Sequence, residues 1–187
     1  MARPALIEDD ELLSKLSQTF RETGYEAASV AALASAAGLQ KASLYHRFPG
    51  GKEQMARDVL TAAEIWLTEN VIAALKADGT PRQRLAGMAD ALNVFYSGGK
   101  LSCLLNVLST DFGKVGPFTE QLRGLMQSLI SAIAATLEDA GLESDEAQAK
   151  AEQRVSELQG SLIVSRVLET TAPFEQCLNR MKEVPCG

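Results

Sequence analysis

Residues 29–52, SVAALASAAGLQKASLYHRFPGGK, constrain what this chain can fold into more than any other stretch. Val30, Leu33, Ala34 and Ala37 recur at helical spacing, and the Ser29 hydroxyl is placed to cap the helix that carries them. Gly38 suits the left-handed turn that ends such a helix, where a side chain would clash. A second short helix is expected over about residues 40–47. It turns Leu44 inward and offers Gln40, Lys41, Ser43, Tyr45, His46 and Arg47 outward. Phe48 and Pro49 end it, because the residue before a proline is driven out of the helical region. Two short helices about a glycine turn are the layout of a helix-turn-helix, whose second helix enters the DNA major groove.

Charge points the same way. Lys41, Arg47 and Lys52 are the charged residues between Glu26 and Glu53, and no acid lies among them. The whole chain carries 18 basic and 24 acidic residues, a net of −6. A basic island in an acidic protein implies a local contact with an anion rather than general stickiness. The plainer reading is a helical hairpin with solvated lysines, and charge alone does not separate the two.

Details of the tract do. The run SLYHRFPGGKEQM (Ser43 to Met55) resembles the DNA-binding domain of TetR/AcrR-family transcriptional regulators, with Leu44, Tyr45, His46, Arg47 and Phe48 at the end of the recognition helix and Lys52 opening the next helix. The PGGKE variant, Pro49 to Glu53, is similar to the LmrA/YxaF-like subgroup of drug-responsive repressors. The resemblance covers about the first 55 residues; the remainder matches in helical layout and length. It implies an all-α chain: a three-helix helix-turn-helix DNA-binding domain, residues 1–50, followed by a helical ligand-binding and dimerisation domain, residues 51–187.

The rest of the sequence reads as helix. Residues 7–23 carry Leu13, Leu16 and Phe20 and stop at Gly24. A long pattern over residues 51–77 joins the two halves. Thr80-Pro81 is a start signal, with a cap and then proline at the first helical position, for a helix reaching Tyr96. Cys103 to Leu108 is a short apolar segment, and helices are expected over about 118–139, 145–169 and 173–183. Nothing alternates as a strand would.

Other chemistries find little footing. Gly50-Gly51-Lys52 and Gly98-Gly99-Lys100 lack both the upstream glycine and the following hydroxyl of a phosphate-binding loop. One histidine and three scattered cysteines (Cys103, Cys177, Cys186) make neither a zinc site nor a disulfide framework. No catalytic residue, cofactor or metal is expected, and the chain reads as no enzyme. No stretch approaches the roughly 18 uninterrupted apolar residues of a membrane span, and no signal peptide stands out in residues 1–10. The expected place is the cytoplasm.

The groove-facing set is Ser29, Gln40, Lys41, Ala42, Ser43, Tyr45, His46 and Lys52. Gln40 and Lys41 suit base edges, Gln favouring adenine and Lys guanine, and Ala42 lets the helix approach. Tyr45, His46 and Lys52 suit phosphates, which position without reading sequence. In the second half Trp66, Met88, Leu92, Phe95, Tyr96, Cys103, Phe112, Phe118 and Met126 are expected to face one another. Taken singly each reads as core; the resemblance implies a cavity for a small apolar or aromatic inducer. Val155, Leu158 and Leu162, then Phe174, Leu178 and Met181, form stripes expected to build a homodimer interface. The function implied is a ligand-responsive repressor that binds a palindromic double-stranded operator as a dimer. The alternative is an all-helical dimeric binding or scaffold protein without specific operator affinity.

Overall fold

The computed structural model describes residues 7–110 and 113–184, and among them every regular element is helical. In chain order these are α1 (Asp9–Thr23), α2 (Val30–Ala36), α3 (Lys41–Arg47), α4 (Gly51–Leu67), α5 (Ala73–Lys76), α6 (Pro81–Phe95), α7 (Leu104–Leu108), α8 (Thr119–Glu138), α9 (Ser144–Val167) and α10 (Ala172–Met181). The chain divides into two compact units. Of the described residues, one holds those up to Ala63 with those from Leu104 to Phe118; the other holds Glu64–Cys103 and those from Thr119 onward.

In the first unit, three acids in the opening turn of α1 (Asp9, Asp10, Glu11) favour the positive end of its dipole. Leu12, Leu16 and Phe20, four residues apart, are almost wholly buried. Leu12 therefore takes the core position expected of Leu13, which is half-buried. The amide of Gly24 donates back to the Phe20 carbonyl at 2.9 Å and stops the helix. α2 begins where the Ala32 amide donates to the Ser29 hydroxyl at 3.1 Å, and Leu33, Ala34 and Ala37 fill its inner face. Gly38, at φ 68°, makes the turn into α3. α7 packs on α1 through its leucines.

The second unit is a helical bundle in which α9 lies between α8 and α10. The helix expected to run unbroken to residue 77 instead widens to a π turn over Thr68–Ile72 before α5. Such a turn leaves backbone groups out of step with the helical ladder; the Asn70 side-chain amide takes up the Trp66 carbonyl at 2.8 Å. The Thr80-Pro81 start signal becomes a full capping box: the Gln83 amide donates to the Thr80 hydroxyl (3.3 Å) and the Thr80 amide to the Gln83 side chain (2.8 Å).

Polar groups lock the ends of the bundle. Arg84 reaches from α6 to the Leu75 carbonyl (3.3 Å) and the Asp139 carboxylate (2.8 Å). Buried Arg154 on α9 donates to the carbonyls of Met181, at 3.2 Å, and Glu183, closing the last turn of α10. Burial pushes the Arg154 pKa down, against the opposing pull of Glu157 and Glu183. After α6 the chain turns through Ser97, Gly98 and Gly99, all with positive φ. Gly99 is required twice over. Its φ is +87°, and an added Cβ would lie 2.7 Å from the ring of Phe174, which is fully buried.

Gly99→Ala should therefore lower stability by about 3 kcal/mol, from overpacking and left-handed strain together. Gly98→Ala, at φ +68° with open space beside it, should lose only about 1 kcal/mol. Urea unfolding midpoints measure both; equal losses would show that Phe174 yields freely.

Candidate nucleic-acid interface

The helix α3 is seven residues long, far too short to persist alone. Leu44, with no exposed surface, anchors it, and Phe48 is buried just beyond its end, its amide donating to the Leu44 carbonyl at 2.8 Å. Gln40 stands at the N-cap with extended backbone and makes no side-chain cap, so its amide is free for another partner. With Leu44 turned inward, the side chains of Gln40, Lys41, Ala42, Ser43, Tyr45 and His46 all lie exposed. Tyr45 is 48% exposed, which settles that it is not core, and its ring edge lies 3.7 Å from where a Cβ of Gly51 would stand.

Two members of the expected set, and Arg47 beside them, do something else. Ser29 spends its hydroxyl as the cap of α2. Arg47 donates to the Ile7 carbonyl (2.9 Å) and pairs with Asp9 (3.2 Å), tying the end of α3 to the start of α1. Lys52, expected to meet phosphate, is half-buried. Its ammonium donates to the carbonyls of Tyr25 (2.9 Å) and Glu26 (3.2 Å) and lies 4.5 Å from the centre of the Tyr25 ring. The amphipathic stem of lysine allows this, because only the charged tip needs a polar partner. Two of the three cations of the basic island thus hold the loop and helix ends in place, and Lys41 is the one left at the exposed surface.

Tyr25 is the residue that spacing did not single out. It stacks on Phe20 (6.0 Å) and meets Phe118 edge-on (5.2 Å). Burial first, then the Glu53 and Glu26 carboxylates, push its phenol pKa up. Phe118 is accordingly a core residue of the first unit and not a member of the Trp66 cluster as expected.

Of the remaining residues expected around an inducer, Met88, Leu92, Tyr96 and Cys103 are buried, while Trp66, Phe95 and Met126 are half-buried. Trp66 and Phe95 stack at 5.1 Å, Phe95 meets Tyr96 edge-on at 5.0 Å, and the Tyr96 hydroxyl donates to the Cys103 sulfur at 3.4 Å. These rings close on one another. Phe112 lies outside the described residues.

The expected dimer stripe is corrected. Val155, Leu158, Leu162, Phe174, Leu178 and Met181 are all buried within one chain, where α9 and α10 pack together. A different stripe of α9 is bare: Ile163, Val164, Val167 and Leu168 are 45%, 44%, 71% and 62% exposed, beside Gly160, whose missing Cβ would meet nothing. Its signal was legible, since residues 160, 163, 164, 167 and 168 follow helical spacing; the neighbouring stripe at 155, 158 and 162 simply has the same period.

Among the described residues no cluster could hold a metal ion, and no helix is long and apolar enough to cross a membrane. Residues 12–59 match the family model for bacterial regulatory proteins of the tetR family, so the N-terminal domain is of the TetR family. The chain is 25% identical over 88 residues to the HTH-type transcriptional regulator LmrA of Bacillus subtilis, covering 47% of each sequence. It is 35% identical over 79 residues to the HTH-type transcriptional repressor KstR2 of Mycolicibacterium smegmatis, covering 42% of this chain and 38% of that one. The chain thus spans less than half the length of these curated relatives.

Over nearly its whole length the fold is that of solved TetR-type proteins. A TetR transcriptional regulator from Legionella pneumophila superposes with a TM-score of 0.81 at 19% identity, over 95% of this chain and 97% of that one. A cysteine mutant of the TetR-family regulator CifR, complexed with 26-bp double-strand operator DNA, gives 0.72 at 20% identity, over 96% and 98%.

Lys52→Met keeps the stem but strips the ammonium from two carbonyls. It should cost about 1–2 kcal/mol and speed amide exchange around residues 25–33. Unchanged exchange there would mean that the loop does not depend on Lys52.

Proposed function

We propose that the protein is a transcriptional repressor that binds a palindromic operator as a homodimer and releases it when a small apolar or aromatic molecule occupies the helical domain. One observation carries this reading: Gln40, Lys41, Ala42, Ser43, Tyr45 and His46 stand exposed on a helix anchored from below by Leu44 and Phe48. Gln40 and Lys41 are the candidates for base edges, with Ala42 clearing space between them. Tyr45 and His46 are the candidates for phosphate. The family of the N-terminal domain and the named roles of LmrA and KstR2 support it. The Pro49–Glu53 motif supports placing the protein in the LmrA/YxaF-like subgroup.

A recognition helix needs a second copy to reach the next major groove about 34 Å along the duplex. The bare stripe of Ile163, Val164, Val167 and Leu168 supplies a self-complementary surface for that copy, and Gly160 lets the helices approach closely. The inducer is proposed to enter at the half-buried Trp66–Phe95 pair, where a planar ligand can slide against two rings. A coupling of about 1–3 kcal/mol between that site and the operator is enough to release DNA several- to a hundredfold.

Two experiments test this reading. Selection from a random DNA pool should yield a palindrome, and Lys41→Ala should change the preferred base at one position per half-site by about 1–3 kcal/mol. Binding that is sequence-blind in the wild type, and only salt-sensitive, would leave a scaffold protein instead.

Val167→Glu, on the bare stripe, should give a folded monomer by sedimentation that no longer binds operator. Leu162→Glu, buried within the chain, should unfold the protein. A Val167→Glu protein that is still dimeric would move the interface elsewhere.

A further inference from the structure

The face of α9 opposite its bare stripe borders a recess of about 280 Å³. Leu162, Ser165, Arg166 and Glu169 form one wall; the loop Gly99–Ser102 after α6 forms the other; Thr170 and Thr171, ahead of α10, close the end. Residues 162, 165, 166 and 169 lie about half a helical turn from 160, 163, 164 and 167. A second copy seated on the bare stripe would therefore leave the recess open.

Its charges are not neutralised. Lys100 and Arg166 both line the recess, and among the described residues neither has a carboxylate at ion-pair distance. Arg166 is nonetheless held in place: its guanidinium donates to the Ser102 hydroxyl at 3.1 Å. The walls are stiff. Gly99 is pressed on Phe174, and the Phe174 amide donates to the buried Ser165 hydroxyl at 3.2 Å. One acid, Glu169, stands on the rim, so the two cations and this carboxylate leave a net single positive charge. Leu101 and Leu162 supply apolar wall.

We propose that this recess binds a small organic carboxylate, its charged end between Lys100 and Arg166 and its apolar body on Leu101 and Leu162. A planar guanidinium fork matches a carboxylate in two parallel hydrogen bonds. The net charge of the site suits a monoanion, and Glu169 disfavours a dianion such as phosphate. Hydroxyls of Ser102 and Thr170 complete a polar mouth above the leucines.

The test uses benzoate as probe on the full chain, labelled with nitrogen-15, following the amides of Gly99, Ser102 and Thr170. Benzoate should give saturable shifts, while benzyl alcohol and inorganic phosphate bind about tenfold more weakly or not at all. Arg166→Gln should weaken benzoate about tenfold, the loss of one charged hydrogen-bonding partner. Glu169→Gln should tighten it, an effect of opposite sign that a merely structural role for these residues would not produce. If circular dichroism shows Arg166→Gln to be misfolded, Lys100→Gln on the exposed loop takes its place with the same expected loss. Absence of saturable benzoate shifts overturns the proposal. So does equal binding of benzyl alcohol or phosphate, or indifference of benzoate to the charge changes.

Discussion

Everything exposed on α3 depends on the burial of Leu44. A seven-residue helix has too few internal hydrogen bonds to offset the entropy of ordering it. It exists because Leu44 and Phe48 are removed from water where α3 packs on α2 and the chain leaves it. Charged groups then fix its orientation: Arg47 ties its last turn to Ile7 and Asp9, and Lys52 ties the start of α4 to the loop at Tyr25 and Glu26. The basic island is thus divided between scaffold and surface. The cations that look most available in the sequence are largely committed to carbonyls, and the neutral and weakly basic side chains of Gln40, Ser43, Tyr45 and His46 share the open face with Lys41.

The order of helices was legible wherever a local rule acts alone. Ser29, Gly38 and Thr80-Pro81 mark their turns and caps by chemistry that needs no tertiary partner, and each acts as the spacing implies. Tertiary packing decided the rest. Leu12 and Leu13 differ by one position on α1, a rotation of about 100°, and only the neighbouring helices choose which is buried. The π turn at Thr68–Ile72 carries no mark in composition. Lys52 looks identical to a phosphate-binding lysine until the carbonyls of Tyr25 and Glu26, 27 and 26 residues away in sequence, are brought to its tip.

The same limit explains the misplaced stripes of α9. Ser144–Val167 is apolar on more than one side, so spacing identifies two faces without saying which meets the rest of its own chain. Val155, Leu158 and Leu162 meet α8 or α10 and vanish from the surface; Ile163, Val164, Val167 and Leu168 meet nothing in this chain. Phe118 is a parallel case. Its size suggested a place beside Trp66, yet it completes the aromatic group of Phe20 and Tyr25. An aromatic ring goes where a matching edge or face is waiting, and that depends on chain connectivity rather than on hydrophobicity.

A helix with two working faces is an efficient place to join separate equilibria. The inner face of α9 is locked to α10 by Phe174 and by Arg154, and the bare stripe is proposed to hold a second copy. Arg166 and Glu169, less than one turn from Val167, border the recess. A carboxylate that draws Arg166 toward Lys100 acts on the last turn of α9, where Glu169 already sits at positive φ in place of the usual glycine. If that turn differs between the free and paired states of the chain, the anion and the second copy must each change the other's affinity by the same factor, since linkage between binding free energies is reciprocal. A difference in dimer dissociation with and without benzoate would then equal the difference in benzoate affinity between monomer and dimer. Equality at zero would mean that the two faces of α9 act independently, the stiff contact of Gly99 with Phe174 insulating one from the other.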